Sequence, residues 1–237
     1  MSRCAEFHLL SMGQEYQRLV NVVSTVGINS NPWFFDGFES VFDWDWAVQD
    51  NTSATKSVIT TQAYEGSKCL QLATGATAPT ANEVTQPVKK VVFPGNRYIE
   101  VTMNWKLASS TNRERIYLWI EPIINGNDYF YGLSLNTQTN RIEYMSGSFN
   151  WTNVNSNAVY PNDGGWNFMR LMFDIVGGKY VRGQVNDQAV DLRSISGVLS
   201  GTVQSAGISI MPGIQILSAA QKTLYIDNVM LRGLDSI

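Results

Sequence analysis

The sequence predicts an all-β protein, a two-sheet antiparallel β-sandwich that follows an apolar N-terminal arm. Two observations predict the sandwich: apolar and polar residues alternate in many short segments after Trp33, and turn sequences separate these segments. The composition agrees, because 16% of the 237 residues are charged, below the roughly 25% of an average soluble domain. A chain of this length can bury a large core.

Three segments show the alternation most clearly, at 98–107, 115–122 and 166–175. Each has one apolar face, which we expect to point into the core. The predicted core residues are Ile99, Val101, Met103, Trp105 and Leu107, then Ile116, Leu118 and Ile120, then Met169, Leu171, Phe173 and Ile175. Turn signals rich in Gly, Asn and Pro lie at 94–96, 125–128, 137–140, 162–165 and 177–179.

Residues 1–32 differ in pattern from the predicted sandwich domain, residues 33–237. Apolar residues recur in the arm at alternating intervals of three and four, from Leu9 to Val26, which is the spacing of a packed helix. The β-branched run from Val20 to Val26 favours a strand equally well. The arm packs either on its own sandwich or on a neighbouring subunit.

Charge and hydropathy argue against two classes of partner. The formal net charge is −3 and the sequence has no basic run, so nucleic-acid binding through phosphate neutralisation is not expected. The sequence has no apolar run of 18 residues, so no membrane-spanning helix is expected either. The N-terminal segment lacks the pattern of a secretory signal, so the protein is expected to be either cytosolic or already processed, and Met1 favours synthesis in the cytoplasm.

No catalytic residues are predicted. The only histidine is His8, in the arm, and the sequence has no nucleophile elbow, phosphate-binding loop or zinc motif. No strand carries the alternating carboxylates of a glycosidase. The chain is therefore expected not to be an enzyme, with a polysaccharide lyase or glycoside hydrolase as the alternative.

One strand face is a candidate ligand-binding surface. Tyr117, Trp119 and Glu121 point away from the predicted core face of their strand, and aromatic and planar polar side chains together suit sugar recognition. If neighbouring strands align, Tyr129, Tyr131 and Arg170 join them on one surface. The alternative is that this face forms a second core layer or a subunit interface.

Four segments resemble a known family. The segments are FDGFES at 35–40, EGSKCLQL at 65–72, the long segment at 164–192 and LYIDNVML at 224–231. Their order and spacing resemble the carbohydrate-binding-module type of β-jelly-roll, one of the concanavalin-like sandwiches, over residues 33–234.

The resemblance implies a structural calcium ion. Its side-chain ligands would be Glu39 and Asp227, with backbone carbonyls from Gly37 and Lys68 and a further contribution from Glu65. Calcium takes six to eight oxygen ligands and can tie distant segments together. The alternative is that both carboxylates accept hydrogen bonds from loop amides or face water.

Two functions remain open. The first is a structural protein of a virion, a capsid decoration (cement) protein that uses its arm to assemble as a homo-oligomer on a capsid protein. Analogy with decoration proteins favours a trimer. The second is a non-catalytic carbohydrate-binding module that recognises a glycan. The first predicts location in a virion, and the second a cytoplasmic or extracellular protein.

Overall fold

The computed structural model describes residues 32–40, 42–76, 80–92, 96–108, 114–124, 126–154, 158–202, 207–234 and 237. These residues form strands, turns and loops and no helix. The strands are β1 Pro32–Asp36, β2 Asp45–Gln49, β3 Thr55–Ile59, β4 Cys69–Ala73, β5 Val84–Val91, β6 Tyr98–Leu107, β7 Glu114–Ile124, β8 Asn127–Asn136, β9 Arg141–Gly147, β10 Asn150–Asn153, β11 Asn167–Asp174, β12 Lys179–Val185, β13 Gln188–Asp191, β14 Val198–Thr202, β15 Gly207–Ile216 and β16 Thr223–Leu234.

The strands form two antiparallel sheets. Sheet A has the order β13-β12-β11-β6-β16-β4-β3, with β1 paired to β16. Sheet B has the order β10-β9-β8-β7-β15-β5-β2, with β14 paired to β8. Many neighbours in each sheet are distant in sequence, as in a jelly roll, so the predicted two-sheet antiparallel sandwich is confirmed.

The core lies between the inner faces of the two sheets. The apolar faces predicted for β6, β7 and β11 are all buried there. Across the interface, the ring of Tyr131 on β8 stacks on Phe173 of β11, with centroids 4.4 Å apart. Because buried apolar side chains each contribute about 1.5–3 kcal/mol, these inner faces supply most of the stability of the sandwich.

Each sheet also has an outer face, and these two faces carry the candidate sites. The predicted turns at 137–140 and 177–179 are present and reverse the chain between β8 and β9 and between β11 and β12.

The N-terminal arm lies outside the described residues, so its conformation and its partner stay predictions. Within the described part of the chain, no helix is long and apolar enough to cross a membrane.

Candidate functional site

The outer face of sheet B holds the aromatic residues that the sequence singled out. Tyr117 and Trp119 do share a face, but the exposed fractions of their side chains are only 0% and 5%. The ring of Phe149, in the turn before β10, packs on Trp119 with 4.7 Å between the ring centroids. The ring of Trp151 on β10 packs on Tyr117 with 5.5 Å between the centroids. The expected exposed aromatic surface is therefore a second apolar layer, the alternative that the sequence left open.

A glycine allows Tyr117 to lie flat on the sheet. Gly213 on β15 pairs with Tyr117, and a Cβ atom at Gly213 would lie only 2.4 Å from the tyrosine oxygen. The hydroxyl donates a hydrogen bond to Oε1 of Gln86, 2.7 Å away. Burial raises the pKa of Tyr117 well above its usual value. Tyr117 is thus a satisfied, buried side chain that is not available for stacking on a ligand.

Tyr129 and Tyr131 do not join this face. Tyr131 pairs with Ile120 and therefore points to the inner face, where its side chain is fully buried. Tyr129 is half-buried against the same core. The expected grouping with Tyr117 is wrong because the hairpin between β7 and β8 pairs odd-numbered residues with even-numbered ones.

Glu121 is half-buried at the end of the aromatic layer and shares a hydrogen bond with Asp128 on β8. Burial, with the neighbouring Asp128 carboxyl, raises the pKa of Glu121 to about 7. Burial also raises the pKa of Asp128. Two carboxyls in direct contact hold a proton between them. In glycosidases the two catalytic carboxyls lie about 5 Å or more apart, with the glycosidic bond between them. Glu121 and Asp128 are in direct contact, which leaves no room for such a bond.

A buried polar network beside Tyr117 was not expected from the sequence. Arg115 on β7 donates a hydrogen bond from Nε to Oε2 of Glu143, 2.7 Å away, and a second one to the side chain of Gln215. Nδ2 of Asn136 donates to the other oxygen of Glu143 at 3.0 Å. The guanidinium lies 5.6 Å from the centre of the Trp151 ring. Because these groups satisfy one another, the network stabilises the face and leaves little for a ligand.

The outer face of sheet A contains a cavity of about 620 Å³. This volume lies within the usual range of ligand sites, about 300–1,000 Å³. Within the described part of the chain, its lining combines arginines with aliphatic side chains and includes no aromatic ring. The lining residues are Arg170, Met172, Val181, Arg182, Ala189, Val190, Asp191, Arg193, Leu234 and Ile237. Arg170 was predicted as a ligand-binding residue, but it lies here, on the other sheet from Tyr117 and Trp119.

The register of β11 and β12 makes Arg170 and Arg182 diagonal neighbours on the outer face, since Arg170 pairs with Gln184. Met172 pairs with Arg182, and Arg182 pairs with Asp191 on β13, so the three outward side chains form a row across the sheet. On the other side of Arg170, the buried carboxylate of Glu100 forms ion pairs with both Arg170 and Arg232. Asp191 binds Arg193, with 3.0 Å between Oδ1 and Nε.

The predicted calcium ligand Glu39 binds the loop that precedes β4. Its Oε1 accepts hydrogen bonds from the backbone N–H groups of Ser67 and Lys68, at 2.7 and 2.9 Å. Its Oε2 accepts one from the hydroxyl of Ser67 at 2.7 Å. The ammonium of Lys68 donates to the Glu39 carbonyl at 2.9 Å, which places a positive charge beside the expected metal position.

Asp227 binds the same loop from β16. Its Oδ2 accepts hydrogen bonds from the backbone N–H groups of Tyr64 and Glu65, at 2.9 and 3.2 Å. Among the described residues, no group of three His, Cys, Asp or Glu side chains converges as a metal site. The contacts thus match the hydrogen-bonded alternative, and a calcium ion held by these carboxylates and the Gly37 carbonyl stays a prediction.

Comparison with solved structures supports the fold. The protein described as "Cellulose induced protein, Cip1" is 15% identical, with a TM-score of 0.56 over 86% of this chain and 97% of its own. A structure described with endo-acting O-glycanases of the human gut microbiota that initiate mucin breakdown is 12% identical, with a TM-score of 0.53 over 86% of this chain and 100% of its own. The CBM22-1 xylan-binding domain of Paenibacillus barcinonensis Xyn10C is 14% identical, with a TM-score of 0.45 over 88% and 97%.

No protein-family model matches the chain, and no curated protein matches it. At these low identities the structural likeness shows the fold alone, a two-sheet β-sandwich. The same likeness extends to a structure described with glycanases, so the fold does not decide between binding and catalysis.

Proposed function

We propose that this protein is a carbohydrate-binding module that holds its glycan in the cavity on the outer face of sheet A. The observation that carries the proposal is the cavity itself, a site of about 620 Å³ that is lined by both aliphatic and charged side chains. Jelly-roll neighbours with glycan-related descriptions support the same class of ligand. The proposal takes up the second function that the sequence left open.

The lining offers both contacts that a sugar needs. Met172 and Leu234 supply apolar surface for the C–H groups of a pyranose ring. Arg170 and Arg182 supply N–H donors to ring and hydroxyl oxygens. A few oriented polar groups around an apolar floor are typical of small-ligand sites.

The predicted role in a virion capsid has no support from the described residues. Its main argument was the N-terminal arm, which lies outside them. The oligomer, the trimer and the capsid partner therefore stay predictions, as does a virion location.

Affinity electrophoresis in gels that contain soluble polysaccharides tests the proposal. The variant Ala189→Trp fills the cavity from its rim, and Ala47→Trp places the same ring on sheet B as a matched control, since both alanines are exposed. We expect at least one polysaccharide to retard the wild type and Ala47→Trp but not Ala189→Trp. Retardation that survives Ala189→Trp, or none with any polysaccharide, would overturn the proposal.

A further inference from the structure

Two arginines of the cavity have hydrogen-bond donors that no other described residue uses. Nε of Arg170 is buried and has no acceptor within the described part of the chain. The side chain of Arg182 is exposed and forms no ion pair or hydrogen bond with another described residue. A guanidinium has five N–H donors, and a buried donor without an acceptor costs free energy until a ligand supplies one.

The charge around the cavity is positive, although the protein as a whole carries −3. Asp191 neutralises Arg193 at the rim, and this contact lowers the pKa of Asp191 to about 2. The single carboxylate of Glu100 is shared between two guanidinium groups, Arg170 and Arg232. Arg182 forms no ion pair of its own with a described acid, since its neighbour Asp191 binds Arg193.

Among the described residues, the lining also lacks the aromatic ring on which neutral sugars usually stack. Guanidinium groups instead bind carboxylate and sulfate oxygens through paired, charge-assisted hydrogen bonds. We infer that the cavity takes an acidic glycan, with Arg182 and Arg170 holding its carboxylate or sulfate group. This inference rests on the proposed function and names the class of glycan.

The sugar ring would then cover Met172 and Leu234 while its anionic group meets the two arginines. Binding through charge predicts a dissociation constant that rises with salt concentration. The removal of Arg182 should weaken binding about tenfold or more, as expected for the loss of a charge-assisted hydrogen bond.

Two matched pairs of polysaccharides test the inference by affinity electrophoresis. Polygalacturonate is paired with its fully methyl-esterified form, and dextran sulfate with dextran, so that each pair shares a sugar backbone and only one member is anionic. We expect retardation by one or both acidic members and none by the neutral ones. The first pair reports a carboxylate ligand and the second a sulfate ligand.

Variants separate the cavity from general attraction to polyanions. Arg182→Gln should weaken binding about tenfold, whereas Lys90→Gln, which removes one charge from an exposed position on sheet B, should leave it unchanged. Equal effects of the two variants, or equal retardation by single-stranded DNA, would overturn the inference. Retardation by neutral polysaccharides alone would overturn it and leave the proposed function standing, while no retardation at all would overturn both.

Discussion

The two outer faces of the sandwich follow the same alternation of residues and yet differ in accessibility. On sheet B the outward side chains Tyr117 and Trp119 are covered by the segment that contains Phe149 and Trp151. On sheet A the outward side chains Arg170 and Arg182 border a cavity. Strand periodicity thus identifies which residues point outward, but whether a loop or hairpin covers them decides which face can bind a ligand.

The difference is also one of chemistry. On the outer face of sheet B, the guanidinium of Arg115 is held by its ion pair with Glu143. On sheet A, the guanidinium of Arg182 forms no hydrogen bond or ion pair with a described residue. A ligand gains more binding free energy from N–H donors without an acceptor in the protein than from donors whose existing hydrogen bonds it must first break.

The largest expected effect separates a packed face from an open one. Trp119→Ala should lower the free energy of unfolding by about 3–5 kcal/mol, because it removes a large buried side chain and leaves a cavity. Arg182→Ala should change it by less than about 0.5 kcal/mol, since the side chain is exposed and unpaired. Urea denaturation measures both, and equal losses would contradict the comparison.

The second prediction concerns the buried carboxylate beneath the arginines of sheet A. Glu100 is 2% exposed, so Glu100→Gln should cost about 3 kcal/mol, because it leaves Arg170 and Arg232 without their counter-ion. Asp191→Asn breaks the exposed pair with Arg193 and should leave the denaturation midpoint unchanged. The reverse order of the two effects would show that Glu100 is not the anchor of this face.

The third prediction concerns Asp227 and separates hydrogen bonding from metal binding. Asp227→Asn should cost about 2 kcal/mol, because the charged acceptor for Tyr64 and Glu65 N–H groups is lost. Thermal denaturation should show the same loss with calcium and with a chelator. A melting temperature of the wild type that rises with calcium, and does so less in Asp227→Asn, would instead support the predicted calcium ion.

The smallest effect concerns the pH dependence of the carboxyl pair on sheet B. The pKa of Glu121 is about 7 in the folded protein and about 4.5 for a free carboxyl. Between pH values of about 4.5 and about 7, the Glu121 carboxyl is ionised in the unfolded chain and protonated in the folded protein. The contribution of Glu121 to the free energy of unfolding therefore falls as the pH rises through this range and is constant at higher pH. In Glu121→Gln, the decrease in the free energy of unfolding over this pH range should be smaller than in the wild type by about 1 kcal/mol, a value that allows for solvent screening at a half-buried group.

Urea denaturation of the wild type and Glu121→Gln at several pH values checks this. The two curves of stability against pH should diverge from about 4.5 to about 7 and run parallel at higher pH. Parallel curves over the whole range would show that Glu121 does not keep its proton in the folded protein.

Much of the fold could be predicted from the sequence because alternation is a local property. The inner faces of β6, β7 and β11 follow directly from it. One site error had a readable signal: Asn125-Gly126 favours a two-residue turn, and Ile124 indeed pairs with Asn127. That register places Tyr131 opposite Ile120 and so on the inner face.

Other features of the sites could not be predicted because they depend on contacts between distant strands. Arg115 meets Gln215, and Arg232 meets Glu100, only because β15 lies beside β7 and β16 beside β6. No local pattern shows that Phe149 would cover Trp119. The side chain of Arg182 likewise lacks an acceptor because of its neighbours. Met172 on β11 offers no charged acceptor, and Asp191 on β13 binds Arg193.

The position of β16 has a consequence for how the protein is made. This strand lies in the interior of sheet A, where it pairs with β1, β4 and β6. Its partner β6 is more than a hundred residues earlier in the chain. During synthesis on a ribosome, sheet A therefore stays split into two open halves until residue 234 has emerged, and β4 and β6 present unpaired edges meanwhile. We expect slow completion of folding and a need for chaperones in that interval.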